Sequence, residues 1–138
     1  MNGFADAAAR RTVAGAVRGA LGDMRCRRAG ITCVAVSPSE SARLNRAWRG
    51  RNKPADVLSF GAPPAVPGAG PGGEIMLCLP LIRRRARRLG LAPSRWLRDL
   101  AVHGLLHVLG YHHDSPAAGA EMFAVQAALT RPGRRRSA

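Results

Sequence analysis

All four histidines of this 138-residue chain fall within the eleven-residue stretch from His103 to His113. His103 and His107 are four residues apart in an apolar-periodic segment that predicts a helix from Arg95 to about Leu109, so both rings leave the same helix face. Two imidazoles at that spacing can reach one metal ion at about 2.0–2.1 Å each. Gly110 closes the helix and lets the chain turn back, which brings His113 into position as a third ligand. Three protein ligands leave one tetrahedral position open, the pattern of a catalytic zinc, with one ion per chain. The adjacent His112 stays open as an alternative third ligand. The fold must therefore contain a helix with one side in the core and the other side at a metal, followed by a tight return.

The familiar zinc-peptidase pattern places a glutamate immediately after the first histidine, where it acts as general base. The sequence His103-Gly104-Leu105-Leu106-His107 has glycine there. A peptidase of the usual mechanism would lack its base. The expectation for Gly104 is instead that it lets another backbone approach the metal-bearing helix.

A chain of this length is the size of one domain and can bury roughly 65–70% of the surface its unfolded form exposes. Hydrophobic residues make up 46% of it, which excludes a disordered composition. The predicted elements are a helix over 5–24, a strand over 31–36 and a helix capped by Ser37 that ends at Gly50. Further strands follow at 56–60 and 73–79, around a Pro/Gly-rich loop. A helix opened by Pro80 carries five arginines, the next is capped by Ser94, and the last runs from Ser115 to about Leu129. Helices and strands interleave, so the expected class is α+β: a single domain over 1–130, with a small mixed sheet packed against helices. Residues 131–138 read as a basic, flexible tail.

Two further blocks stand upstream of the histidines. One is Leu44-Asn45-Arg46-Ala47-Trp48-Arg49-Gly50, followed by Lys53-Pro54-Ala55-Asp56-Val57-Leu58-Ser59-Phe60; the other is Gly73-Glu74-Ile75. Together with His103-Gly-Leu-Leu-His107-Val-Leu-Gly110-Tyr111-His112-His113 and the Glu121-Met122-Phe123 helix, this pattern resembles the YbeY family of bacterial endoribonucleases from about Ile31 to Leu129. Two positions depart from it: His112 stands where the family has aspartate, and Ala55 where it has threonine. The resemblance implies a zincin-like α+β fold, with zinc on His103, His107 and His113. It also implies cleavage of single-stranded RNA in ribosomal RNA processing, notably 16S 3′-end maturation, and in ribosome quality control.

The charge balance agrees with a polyanionic partner. Lys plus Arg number 22 against 8 acidic residues, a formal charge of +14, and Lys53 is the only lysine. Arg49 is the candidate for gripping the scissile phosphate, because a guanidinium can hold two phosphate oxygens at once. Arg83, Arg84 and Arg87 are candidates for tracking the RNA backbone. Trp48 and Trp96 could stack on bases but are expected mainly in the core. The residues show no convincing general base. The alternatives are a non-catalytic zinc-containing factor bound to the ribosome or ribosomal proteins and, more remotely, a zinc peptidase. Three cysteines with no CxxC pair and no apolar leader fit a reducing cytoplasm, and no apolar run is long enough to span a membrane.

Overall fold

The computed structural model describes residues 1–26, 28–62 and 70–131. Its elements run α1 (Ala7–Asp23), β1 (Gly30–Ala35), α2 (Pro38–Arg49), β2 (Val57–Ala62), β3 (Gly72–Leu77), α3 (Leu79–Arg88), α4 (Pro93–Val108) and α5 (Pro116–Leu129). Apart from Arg131, the basic tail lies outside the described residues, as does most of the Pro/Gly-rich loop. Among the described residues no helix is long and apolar enough to cross a membrane.

The β-branched and small residues of Ile31-Thr32-Cys33-Val34 suit a pleated, two-sided surface, and they form β1. The sheet order is β1-β3-β2, with β1 parallel to β3 and β2 antiparallel to it. The pairs Cys33↔Ile75 and Ser59↔Ile75 set the register. Alternation along the strands then puts Cys33, Ile75, Leu77 and Val57 on one face, packed with α1 and α4 in the main core. The opposite face carries Val34 and Met76, which pack with Val36, Cys78 and Leu81. Cys33 and Cys78 are buried thiols, and burial pushes both above the ordinary thiol pKa.

Two helix starts differ from the sequence-based expectation, and proline accounts for both. The third strand ends at Leu77 rather than Leu79, because Leu79 and Pro80 already form the first turn of α3. The fourth helix starts at Pro93 with Ala92 as its N-cap, so Ser94 lies inside the helix and does not cap it. Proline lacks the N–H that a first-turn residue would leave unpaired and has the φ a helix needs. The expected capping box is present in α2: Ser37 Oγ accepts from the Glu40 N–H at 3.1 Å, and the Ser37 N–H donates to Glu40 Oε1 at 3.2 Å.

Helix α4 is the centre of the molecule. Its inward residues Leu97, Leu100, Ala101, Leu105 and Leu106 are buried, and fully burying each leucine contributes about 1.5–3 kcal/mol. Gly104 faces the sheet. A Cβ there would lie 2.8 Å from both Ile75 Cγ2 and Ser59 Oγ, and 3.1 Å from Val57 Cγ2. Glycine therefore admits the side chains of β2 and β3 rather than another backbone. Gly104→Ala should keep the fold but lower stability by about 1–3 kcal/mol, the cost of overpacking, as measured by denaturant unfolding.

Candidate metal centre and its basic cavity

The last turn of α4 builds the site. Gly110 has φ +100, a conformation that disfavours side chains. Its N–H donates to the His107 carbonyl at 3.1 Å, and the Tyr111 N–H donates to the Leu106 carbonyl at 2.9 Å. These are the two bonds of a Schellman turn. The same turn aims the Tyr111 carbonyl at His107, whose Nδ1–H donates to it at 3.0 Å. His103 Nδ1 donates to Gln126 Oε1 on α5 at 2.9 Å.

These outer bonds fix the tautomers, because a ring nitrogen that donates leaves the other as an unprotonated lone pair. The two free atoms, His103 Nε2 and His107 Nε2, are 3.1 Å apart. Two lone pairs that close repel unless a cation lies between them. The spacing is close to the ~3.3 Å expected for two ligands bound at about 2.0–2.1 Å to a tetrahedral ion. His113 completes the group, and the three ligand atoms lie within 4.8 Å of one another. Burial, then the neighbouring His103, and more weakly His113 and Arg49, hold the His107 imidazole below its ordinary pKa, against a contribution from the Tyr111 carbonyl. The neutral, ligand-competent form is thereby favoured. His112 lies outside this group: it is exposed, with Nδ1 3.6 Å from Asp114. The donor set therefore fits one zinc-like ion on His103, His107 and His113.

The histidines open into a cavity of about 260 Å³ lined also by Arg49, Arg51, Lys53 and Arg85. Asp56 is the one carboxylate in that lining, and both its oxygens are engaged. Oδ1 accepts from the Val57 N–H at 3.0 Å, and Oδ2 pairs with Arg85 at 3.0 Å. Arg49 is thus brought into the same cavity as the histidines. Arg83, Arg84 and Arg87 are not: with Pro80 they line a separate shallow groove on α3. Arg83 is also ion-paired with Asp6 at 2.6 Å, an exposed contact of the kind that contributes little. Arg51, Lys53 and Gln126 were missed by the sequence reading, which placed Arg85 only within the basic run of α3 and not at the histidines. Spacing shows only that Arg85, two residues from Arg83 and Arg87, projects from another face of α3, not what that face meets.

The segment bearing Lys53 to Asp56 is held by buried polar groups of α2. Ser41 Oγ donates to the Ala55 carbonyl at 2.6 Å and accepts from the Ala55 N–H at 2.9 Å. Asn45 Nδ2 donates to the Lys53 carbonyl at 2.8 Å. The backbone at Ala55 is therefore anchored without a side-chain hydroxyl of its own.

The family model described as endoribonuclease YbeY matches residues 4–132. Among similar proteins, the endoribonuclease YbeY of Moorella thermoacetica is 39% identical over 108 residues, covering 72% of this chain and 69% of the relative. That of Halorhodospira halophila is 38% identical over 96 residues, 67% of this chain and 62% of the relative. The aligned stretch thus spans less than two thirds of the latter's length. The fold is similar to the solution structure of a Thermotoga maritima protein, with a TM-score of 0.58 and 24% identity over 97% of both chains.

Ser41→Ala would leave the Ala55 N–H and carbonyl without their partner. It should destabilise the protein by about 1–3 kcal/mol in thermal or denaturant unfolding, as buried groups stripped of a hydrogen bond do.

Proposed function

Because this chain belongs to the endoribonuclease YbeY family, we propose that it is a zinc-dependent endoribonuclease for single-stranded RNA. It would act on ribosomal RNA, including the 3′ end of the 16S species, and in ribosome quality control. The observation that carries this reading is the juxtaposition of three histidine ligand atoms with a strongly cationic cavity. Four cationic side chains against one engaged carboxylate suit a phosphodiester backbone far better than a peptide. His103, His107 and His113 would hold the ion. When bound, zinc supplies Lewis acidity and lowers the pKa of water.

The chain's own groups do the rest. Arg49 grips the phosphate and stabilises the charge that develops on it. Arg51 and Lys53 lie in the same cavity wall and bind flanking phosphates. Arg85 is oriented by Asp56. Arg83, Arg84 and Arg87 would contact RNA only beyond the cavity, along α3. The engaged state of Asp56 favours one alternative, a zinc-containing ribosome factor that binds RNA without cutting it.

Purified protein incubated with single-stranded and duplex RNA separates the two readings. Cleavage confined to single strands, abolished by chelation or by His103→Ala and restored to the wild type by zinc, is expected. RNA binding with no cleavage would favour the factor. Arg49→Ala should lower cleavage by roughly 10²–10³-fold with zinc content intact, and Arg49→Lys should not rescue it. Binding should also respond to salt. If Arg49, Arg51 and Lys53 neutralise about three phosphates, affinity should fall about 20-fold between about 50 and 200 mM salt. A flat titration would remove the cavity cations from recognition.

A further inference from the structure

With aromatic residues at only 4% of the chain, Trp48 is expected mainly in the core. The structure leaves it 68% exposed. At that level the last turn of α2 meets the half-buried Phe60, with ring centroids 5.4 Å apart and planes inclined at 57°. The two rings come from positions next in sequence to two of the cavity's lining residues. Trp48 precedes Arg49 on α2, and Phe60 follows Ser59 on β2, and both Arg49 and Ser59 line the histidine cavity. Successive residues in a strand point to opposite faces, so Phe60 points away from the cavity that Ser59 lines, and because β2 is an edge strand of the sheet the aromatic pair stands outside the cavity, beside that edge. The surroundings are cationic, with exposed Arg46, Arg49 and Arg51 on the same turn and the loop after it.

An exposed indole braced by a second ring and flanked by arginines is the arrangement by which proteins hold a nucleic-acid base beside its backbone. We propose that Trp48, supported by Phe60, is a stacking platform for a base of single-stranded RNA next to the phosphate in the histidine cavity. This rests on the reading of the cavity as an RNA site. It adds that a base, and not only the backbone, is recognised. Because every base has a π-face, the platform holds an unpaired nucleotide of any sequence, whereas a base stacked within a duplex cannot reach it. A preference for single strands would then begin outside the cavity.

The test uses the full chain carrying Trp96→Phe, so that Trp48 is the sole indole. A single-stranded adenine hexanucleotide with 2′-O-methyl sugars is titrated in, alongside the same backbone without bases. Labelled-oligonucleotide anisotropy follows binding, and indole fluorescence follows stacking. Quenching by the base-bearing strand alone is expected. In the otherwise unaltered chain, Trp48→Ala should weaken binding of that strand about 5- to 150-fold. It should leave the abasic backbone unaffected, and Trp48→Phe should recover most of the loss. Binding without quenching, or equal weakening of both strands by Trp48→Ala, would overturn the platform and leave the endoribonuclease reading intact. Failure of both strands to bind would overturn the RNA site and the platform with it.

Discussion

The burial of α4 is the constraint on which the other elements depend. Of its 16 residues, Leu97, Leu100, Ala101, Val102, Gly104, Leu105, Leu106 and Val108 are buried. The helix is hydrophobic around most of its circumference because the sheet, α1, α3 and α5 all pack against it. The remaining stripe carries His103 and His107, which are half-buried at the edge of the core. The packing that stabilises the domain thus also fixes the two imidazoles, and a ligand pair on so constrained a helix loses little freedom on binding a metal.

Electrostatics divides the site in two. At the floor, burial and adjacent positive charge favour the neutral form of His107, and the Nδ1 bonds of His103 to Gln126 and of His107 to the Tyr111 carbonyl turn the free lone pairs inward. At the wall, Arg49, Arg51, Lys53 and Arg85 crowd together with Asp56 as their sole acidic neighbour in the cavity. Like charges gathered this way repel one another, and an incoming polyanion relieves that repulsion. The arrangement gains by binding phosphate what it loses in the empty state.

Much of this was legible in the sequence, for identifiable reasons. The His103–His107 spacing and Gly110 act through local geometry, which a linear pattern reports directly. The Ser37–Glu40 capping box and the Ser115 cap are local in the same sense. The partners of the ligands were not legible, because Gln126 meets His103 only when α5 folds back on α4. Arg85 enters the cavity through its pairing with Asp56, 29 positions earlier in the chain, which periodicity cannot anticipate. Trp48 was misjudged for a related reason: the ring it meets, Phe60 on β2, is itself only half-buried, and that neighbourhood is set by tertiary packing. Ser94 was misplaced because Pro93 starts the helix before a side-chain cap is needed.

The central claim is that three histidines of one short segment form an open metal site. X-ray absorption spectroscopy of the zinc-loaded chain tests it most directly. Three imidazole ligands with no sulfur and no further protein ligand is the predicted result, with one imidazole lost in His113→Ala and none in His112→Ala. A site of two imidazoles, or one closed by a fourth protein ligand such as a cysteine, would contradict the account.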